Sequence, residues 1–136
     1  MNSVRCVLLV DDNEADNFFH RLAIEETGLA GEIVAAETGA EALELLATAK
    51  IEPELIFLDV NLPGMSGWEF LEAYRRLSAE LSRAEVVFLT TSSAPEDRQR
   101  ARSLGARGGL RCKPLTAEGF RRVVSDYRAG WPPTQT

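Results

Sequence analysis

Three short stretches of this chain are apolar almost without a break: "VRCVLLV" (4–10), "LIFLDV" (55–60) and "EVVFLTT" (85–91). A strand packed on one face alternates apolar and polar residues, so a continuous apolar run must be buried on both faces. Between these runs the apolar residues recur with helical spacing. Strands that alternate with helices imply a parallel sheet with crossover helices on both faces. Right-handed crossovers leave few ways to connect it.

The intervening segments carry their own boundary signals. In "DDNEADNFFHRLAIEETG", Ala15, Phe18, Phe19 and Leu22 form an apolar helical stripe, Asn13 is a candidate N-cap and Gly28 follows the end. "EIVAAE" reads as the second strand. Thr38 with Glu41, and Ser66 with Glu69, are spaced as capping boxes that open the second and third helices. Phe70, Leu71, Tyr74 and Leu77 form the stripe of the third. Pro95 suits the first turn of a fourth helix that ends at Gly105. "GLRCK" is a poor fifth strand. The last helix starts near Thr116 and carries Phe120, Val123, Val124 and Tyr127. One domain is expected over residues 1–128, with 129–136 as a flexible C-terminal tail.

In such folds, ligands bind beyond the carboxyl ends of the strands. Here those ends are polar. Strand 1 runs into Asp11 and Asp12, and strand 3 into Asp59. Strand 4 runs into Thr90, Thr91, Ser92 and Ser93, and strand 5 into Lys113 and Pro114. Three converging carboxylates repel one another unless a proton or a cation intervenes. A hard divalent ion with oxygen ligands is the natural answer, and Mg²⁺ favours one or two carboxylates together with water and phosphate oxygens. Lys113 offers a compact positive charge for a phosphate oxygen, and Thr90 a hydroxyl. A carboxylate can also be a nucleophile that forms an aspartyl phosphate. The set points to metal-assisted phosphoryl transfer onto an aspartate, with Asp59, at the end of the most apolar run, as acceptor.

The motifs "LLVDDN", "LIFLDVNLPGMSGWEFL", "VVFLTTSS" and "CKPL" together resemble the receiver domain of two-component response regulators, over residues 4–128. The resemblance implies a flavodoxin-like, doubly wound (βα)5 fold with a five-stranded parallel sheet in the order 2-1-3-4-5. It implies that Asp59 accepts the phosphoryl group from a phosphohistidine on a sensor histidine kinase or a phosphotransfer domain. Asp12 would bind Mg²⁺ directly, Asp11 would hold a metal-bound water, and Asn61 would give its backbone carbonyl. Thr90 would be the switch hydroxyl and Lys113 the phosphate partner, with a cis bond to Pro114. Pro63 and Gly64 would shape the loop after Asp59, and Gly67 would let the third helix start close to it. The module would catalyse only its own phosphorylation and dephosphorylation. It would signal through a protein partner on the helix 4, strand 5 and helix 5 face. Only residues 129–136 follow the last helix, so the expectation is a receiver without an output domain, or one cut from a longer chain.

One segment departs from the family pattern. An aromatic residue three positions before the lysine is usual, but Leu110 stands there, and the second glycine of "RGGL" lengthens the run by one. Gly109, the alternative position, is not aromatic either. The expectation is that output relies instead on the fourth loop and the arginines of helix 4.

Charge narrows the partner. Residues 1–72 carry 15 acids and 3 bases, whereas residues 73–136 carry 6 acids and 12 bases. Arg98, Arg100, Arg102, Arg107, Arg111, Arg121, Arg122 and Arg128 fall on the expected partner face, which suits an acidic protein. A net charge of −6 and the lack of a reading element argue against nucleic acid. No apolar run spans a membrane, and no signal peptide is visible, so a cytoplasmic protein is expected. Cys6 and Cys112 lack metal-site spacing. They would lie three strand spacings apart, about 14 Å, beyond disulfide reach. His20 is expected on helix 1, away from the site, solvated or half-buried. Two other classes stay open beside the receiver. An aspartate-nucleophile phosphotransfer enzyme would need a DxDxT pattern after strand 1. A flavodoxin-like cofactor binder would need a Ser/Thr/Gly phosphate loop there.

Overall fold

A computed structural model describes residues 3–91 and 94–131. Five strands alternate with five helices: β1 (Val4–Val10), α1 (Glu14–Thr27), β2 (Ala30–Ala36), α2 (Gly39–Ala47), β3 (Leu55–Asp59), α3 (Gly67–Arg75), β4 (Glu85–Thr90), α4 (Pro95–Ser103), β5 (Leu110–Cys112) and α5 (Ala117–Arg128). The sheet is parallel throughout, in the order β2-β1-β3-β4-β5. This is the flavodoxin-like order that the family resemblance implies.

The continuous apolar runs form the centre of the sheet. β3 is buried at every position, and Val7–Val10 of β1 and Val86–Thr90 of β4 are buried too. Side chains alternate between two cores, as the strand period of two requires. Leu8, Val10, Ile56, Leu58, Val86 and Phe88 face α2, α3 and α4, against Ala42, Leu46, Phe70, Leu71, Tyr74 and Ala101. Val7, Leu9, Leu55, Phe57, Val87 and Leu89 face α1 and α5, against Ile24, Phe120, Val123 and Val124. Each such side chain taken out of water contributes ~1.5–3 kcal/mol. The Phe57 and Phe120 rings, with centroids 5.9 Å apart, join β3 to α5.

Helix ends follow the sequence signals. Ser66 and Glu69 make both bonds of a capping box. Thr38 makes half of one. Its hydroxyl accepts from the Glu41 N–H, but Glu41 itself accepts from the Glu37 N–H. Gly28 closes α1 with φ +67°, a left-handed conformation that glycine adopts without cost. α4 has Pro95 in its first turn, no side-chain cap, and only Ala101 buried.

Helix α1 reverses the sequence expectation. The predicted stripe is the exposed one: Phe18 is 55%, Phe19 60% and Leu22 45% accessible, while Asn17, His20 and Ile24 are buried. Residues 129–131, assigned to a tail from sequence, turn back on the domain. Trp131 is buried beside Tyr127 at 5.8 Å between ring centroids, and Arg107 donates to the Gly130 carbonyl at 2.7 Å. Residues 132–136, and Ser92 and Ser93, lie outside the described residues.

Candidate functional site

The site lies along one edge of the sheet, where β1, β3, β4 and β5 end. β1 delivers Asp11, which is buried, and Asp12, which is exposed. Two bonds tie Asp11 to α1 and its N-cap. Its Oδ1 accepts from the Asn13 N–H at 2.9 Å, and its carbonyl accepts from Asn17 Nδ2 at 2.9 Å. β3 delivers Asp59, also buried, with Oδ1 accepting from the Asn61 N–H at 3.1 Å. The chain then turns through Gly64, where φ is +78°, into α3. A Cβ on Gly67 would sit 2.6 Å from the Asp59 carbonyl oxygen, so only glycine lets this helix begin so close to Asp59. β4 ends at Thr90, which is fully buried and whose carbonyl accepts from the Lys113 N–H at 2.8 Å.

β5 brings Lys113 across the edge, followed by a cis bond to Pro114. Its Nζ donates to Asp11 Oδ2 at 2.6 Å, Asp16 Oδ2 at 3.0 Å and Asp59 Oδ2 at 3.3 Å. One ammonium thus bridges three carboxylates. The irregular run before it has a packing reason. A Cβ on Gly108 would lie 2.6 Å from Val87 Cγ2 and 2.7 Å from the Val86 carbonyl oxygen, and Gly109 has φ +74°. Two successive glycines let the chain press against β4 and then turn into β5.

The electrostatics follow from crowding. Burial raises the Asp59 pKa above its ordinary value, while the Asn61 N–H and the Lys113 charge pull it back. Burial alone would lower the Lys113 pKa, but hydrogen bonds to Asp11 and Asp16 and the charges of Asp11 and Asp59 outweigh it. The lysine is held above its ordinary value and charged. Ligand oxygens of Asp11, Asp12 and Asp59 lie within 4.8 Å of one another. Carboxylate oxygens at that separation, one set open to solvent on Asp12, are the donors a hard cation such as Mg²⁺ takes. These residues could hold a metal ion.

Asp11, Asp12, Asp59 and Lys113 therefore come together as the sequence implied, and Thr90 ends the neighbouring strand. Two participants escaped the sequence reading. Asp16 was not singled out in the sequence, but it holds Lys113. His20 was expected to be solvated or half-buried and distant. It is buried, and it lies within the field of the site: burial and the Lys113 charge lower its pKa, against the opposing pull of Asp16, Asp11 and Asp59. Asn17, His20 and Ile24 at helical spacing were the available signal for the true inner face of α1.

A second feature adjoins Leu110, where no aromatic stands. The Trp68 and Phe88 rings pack with centroids 4.5 Å apart, and the Arg100 guanidinium lies 5.0 Å over Trp68. This contact joins the start of α3, next to Gly67, with β4 and α4. Such a cation–π pair is worth ~0.5–1 kcal/mol where exposed.

Among the described residues, no helix is long and apolar enough to cross a membrane. A family model described as the response regulator receiver domain matches residues 7–125. A probable methanogenesis regulatory protein, FilR2 of Methanothrix harundinacea, is 34% identical over 129 residues, which span 92% of this chain and 82% of that protein. The two component response regulator of Cytophaga hutchinsonii superposes with a TM-score of 0.81 at 27% identity, covering 93% of this chain and 98% of the other. The bacteriophytochrome response regulator AtBRR superposes at 0.77 with 31% identity, covering 98% and 99%.

Proposed function

This chain belongs to the response regulator receiver domain family, a family of signalling modules, and we propose that Asp59 is its phosphoacceptor. The observation that carries this reading is the convergence of Asp11, Asp12, Asp59 and Lys113 at one sheet edge. In the proposed reaction, an Asp59 carboxylate oxygen attacks the phosphorus of a phosphohistidine on a kinase or phosphotransfer protein. The new O–P bond forms as the N–P bond breaks, and the imidazole leaves with the electron pair. Lys113 faces the transferring oxygens and offsets their charge. Bound Mg²⁺ would supply further charge neutralisation at those oxygens, held by Asp11, Asp12 and Asp59 and by the Asn61 carbonyl. Thr90 is the proposed hydroxyl partner of the phosphoryl group.

The partner face proposed is that of α4, β5 and α5. Its support is the excess of arginine after residue 73 and the Arg100–Trp68 contact, which links α4 to the start of α3. An acidic partner docked there loses affinity as salt rises, and salt-insensitive binding removes this surface from the reading.

The phosphoacceptor assignment is tested with acetyl phosphate and Mg²⁺, read by intact-protein mass spectrometry. One phosphoryl group is expected on the wild-type chain and none on Asp59→Asn. A wild-type chain that stays unlabelled overturns the reading, and a label that survives Asp59→Asn overturns the assignment.

A further inference from the structure

Lys113 Nζ is held by three carboxylates, and the metal group accounts for only two of them. Asp11 and Asp59 belong to the oxygens that can close on a cation, and Asp16 does not. Asp16 instead stands in the first turn of α1 with Oδ2 3.0 Å from Nζ. Its backbone N–H donates to the N-cap Asn13 Oδ1 at 3.0 Å. The next residue, Asn17, is bonded to the Asp11 carbonyl. A capped helix end therefore presents this carboxylate, which makes it a more rigid support than a loop.

We propose that Asp16 is the positioning residue for Lys113 in phosphoryl transfer, anchoring the ammonium while Asp11 and Asp59 are engaged with the cation and the phosphoryl group. The inference rests on the phosphoacceptor reading above. A lysine ammonium has three N–H donors on a flexible four-carbon stem. Before reaction, all three contacts go to carboxylates. A cation on Asp11 and Asp59 competes for two of those oxygens and repels the ammonium. Asp16 is the contact that survives this change. It keeps one N–H occupied and leaves two for phosphoryl oxygens. Without it, the stem is free to swing away from the oxygen that it must face in the transition state, and misplacement of a charge-stabilising group slows transfer.

The test measures acetyl phosphate labelling of the full chain across Mg²⁺ concentrations, for wild type, Asp16→Asn, Asp16→Glu and Asp59→Asn. The expected result is a maximal rate lowered on the order of tenfold in Asp16→Asn, with the half-saturating Mg²⁺ concentration unchanged within about twofold. Asp16→Glu restores most of the rate, because it keeps the carboxylate. Three results overturn the inference: Asp16→Asn labels at the wild-type rate or faster, the loss appears in the Mg²⁺ requirement, or Asp16→Glu fails to rescue. A wild-type chain that takes no label fails the phosphoacceptor reading instead. Wild-type labelling with an indifferent Asp16→Asn fails this inference alone.

Discussion

Helices α1 and α5 pack side by side on one face of the sheet, yet opposite forces orient them. α5 buries the stripe that its sequence displays: Phe120, Val123 and Val124 lie in the core with Leu55, Phe57 and Val87. α1 turns its most apolar stripe to solvent and buries Asn17 and His20 together with Ile24. Hydrophobic burial decides α5, and the site decides α1. Asn17 is bonded to the Asp11 carbonyl and Asp16 to Lys113, and these contacts fix the helix rotation. At about 100° per residue, Phe18, Phe19 and Leu22 then fall about 100–200° away from Asn17. A helix that serves a polar site gives up part of its own burial to do so.

The largest effect that could break this contrast is on the α5 side. Phe120 is fully buried and packs on Phe57. Phe120→Ala removes that ring from the centre of a core and is expected to cost about 3–5 kcal/mol, read as a lower urea midpoint. A loss below about 1 kcal/mol would mean that α5 is not oriented by burial, and the contrast would fall.

A smaller effect tests the polar interior of α1. His20 has its pKa lowered below 6.5, first by burial and then by the Lys113 charge. Well above 6.5, the imidazole is neutral in both folded and unfolded chains and adds no pH dependence. As pH falls through 6.5, the unfolded chain takes up its proton first, so stability falls across the window down to the lowered folded value. Asp59, whose pKa is raised on folding, acts with the opposite sign and is common to wild type and His20→Gln. The difference between wild type and His20→Gln isolates the histidine. Stability of wild type should drop more than that of His20→Gln between about pH 8 and about pH 5.5. Equal drops would mean that the histidine is not held neutral inside the fold.

The same contrast explains what could be read from sequence. β3 was legible because "LIFL" is apolar at every position, which only a doubly buried strand tolerates, and Asp59 was legible because it ends that run. Asp11, Asp12 and Lys113 were legible as strand-end charges. Periodicity, however, reports which residues share a helix face and not whether that face looks inward. Ala15, Phe18, Phe19 and Leu22 share a face, but it is the outer one. Asp16 was missed because its partner, Lys113, is 97 residues away and nothing local betrays it, and His20 because the more apolar stripe of the same helix drew the reading to the other face. Gly108 and Gly109 looked like a flaw before β5 because the demand for Gly108 comes from the close approach of β4 and that for Gly109 from its own φ of +74°. Trp131 was assigned to a tail because its pocket is assembled from distant strands and Tyr127.

The smallest expected effect sharpens the contrast most. Phe19 is 60% accessible and touches Phe18 edge-on, with ring centroids 5.6 Å apart. Phe19→Ala therefore removes little buried surface. Alanine is also the better helix former, by up to about 0.5 kcal/mol, which offsets the lost ring contact. The net change in unfolding free energy should stay within about 0.5 kcal/mol, against several for Phe120→Ala on the adjacent helix. Both substitutions delete the same ring from the same kind of helix, so the difference isolates orientation. Measured by urea unfolding at two protein concentrations, a loss above about 1 kcal/mol would mean that the stripe is covered in solution. If that loss grew with concentration, the cover would be a second copy of the chain, and α1 would owe its orientation to an interface as well as to the site.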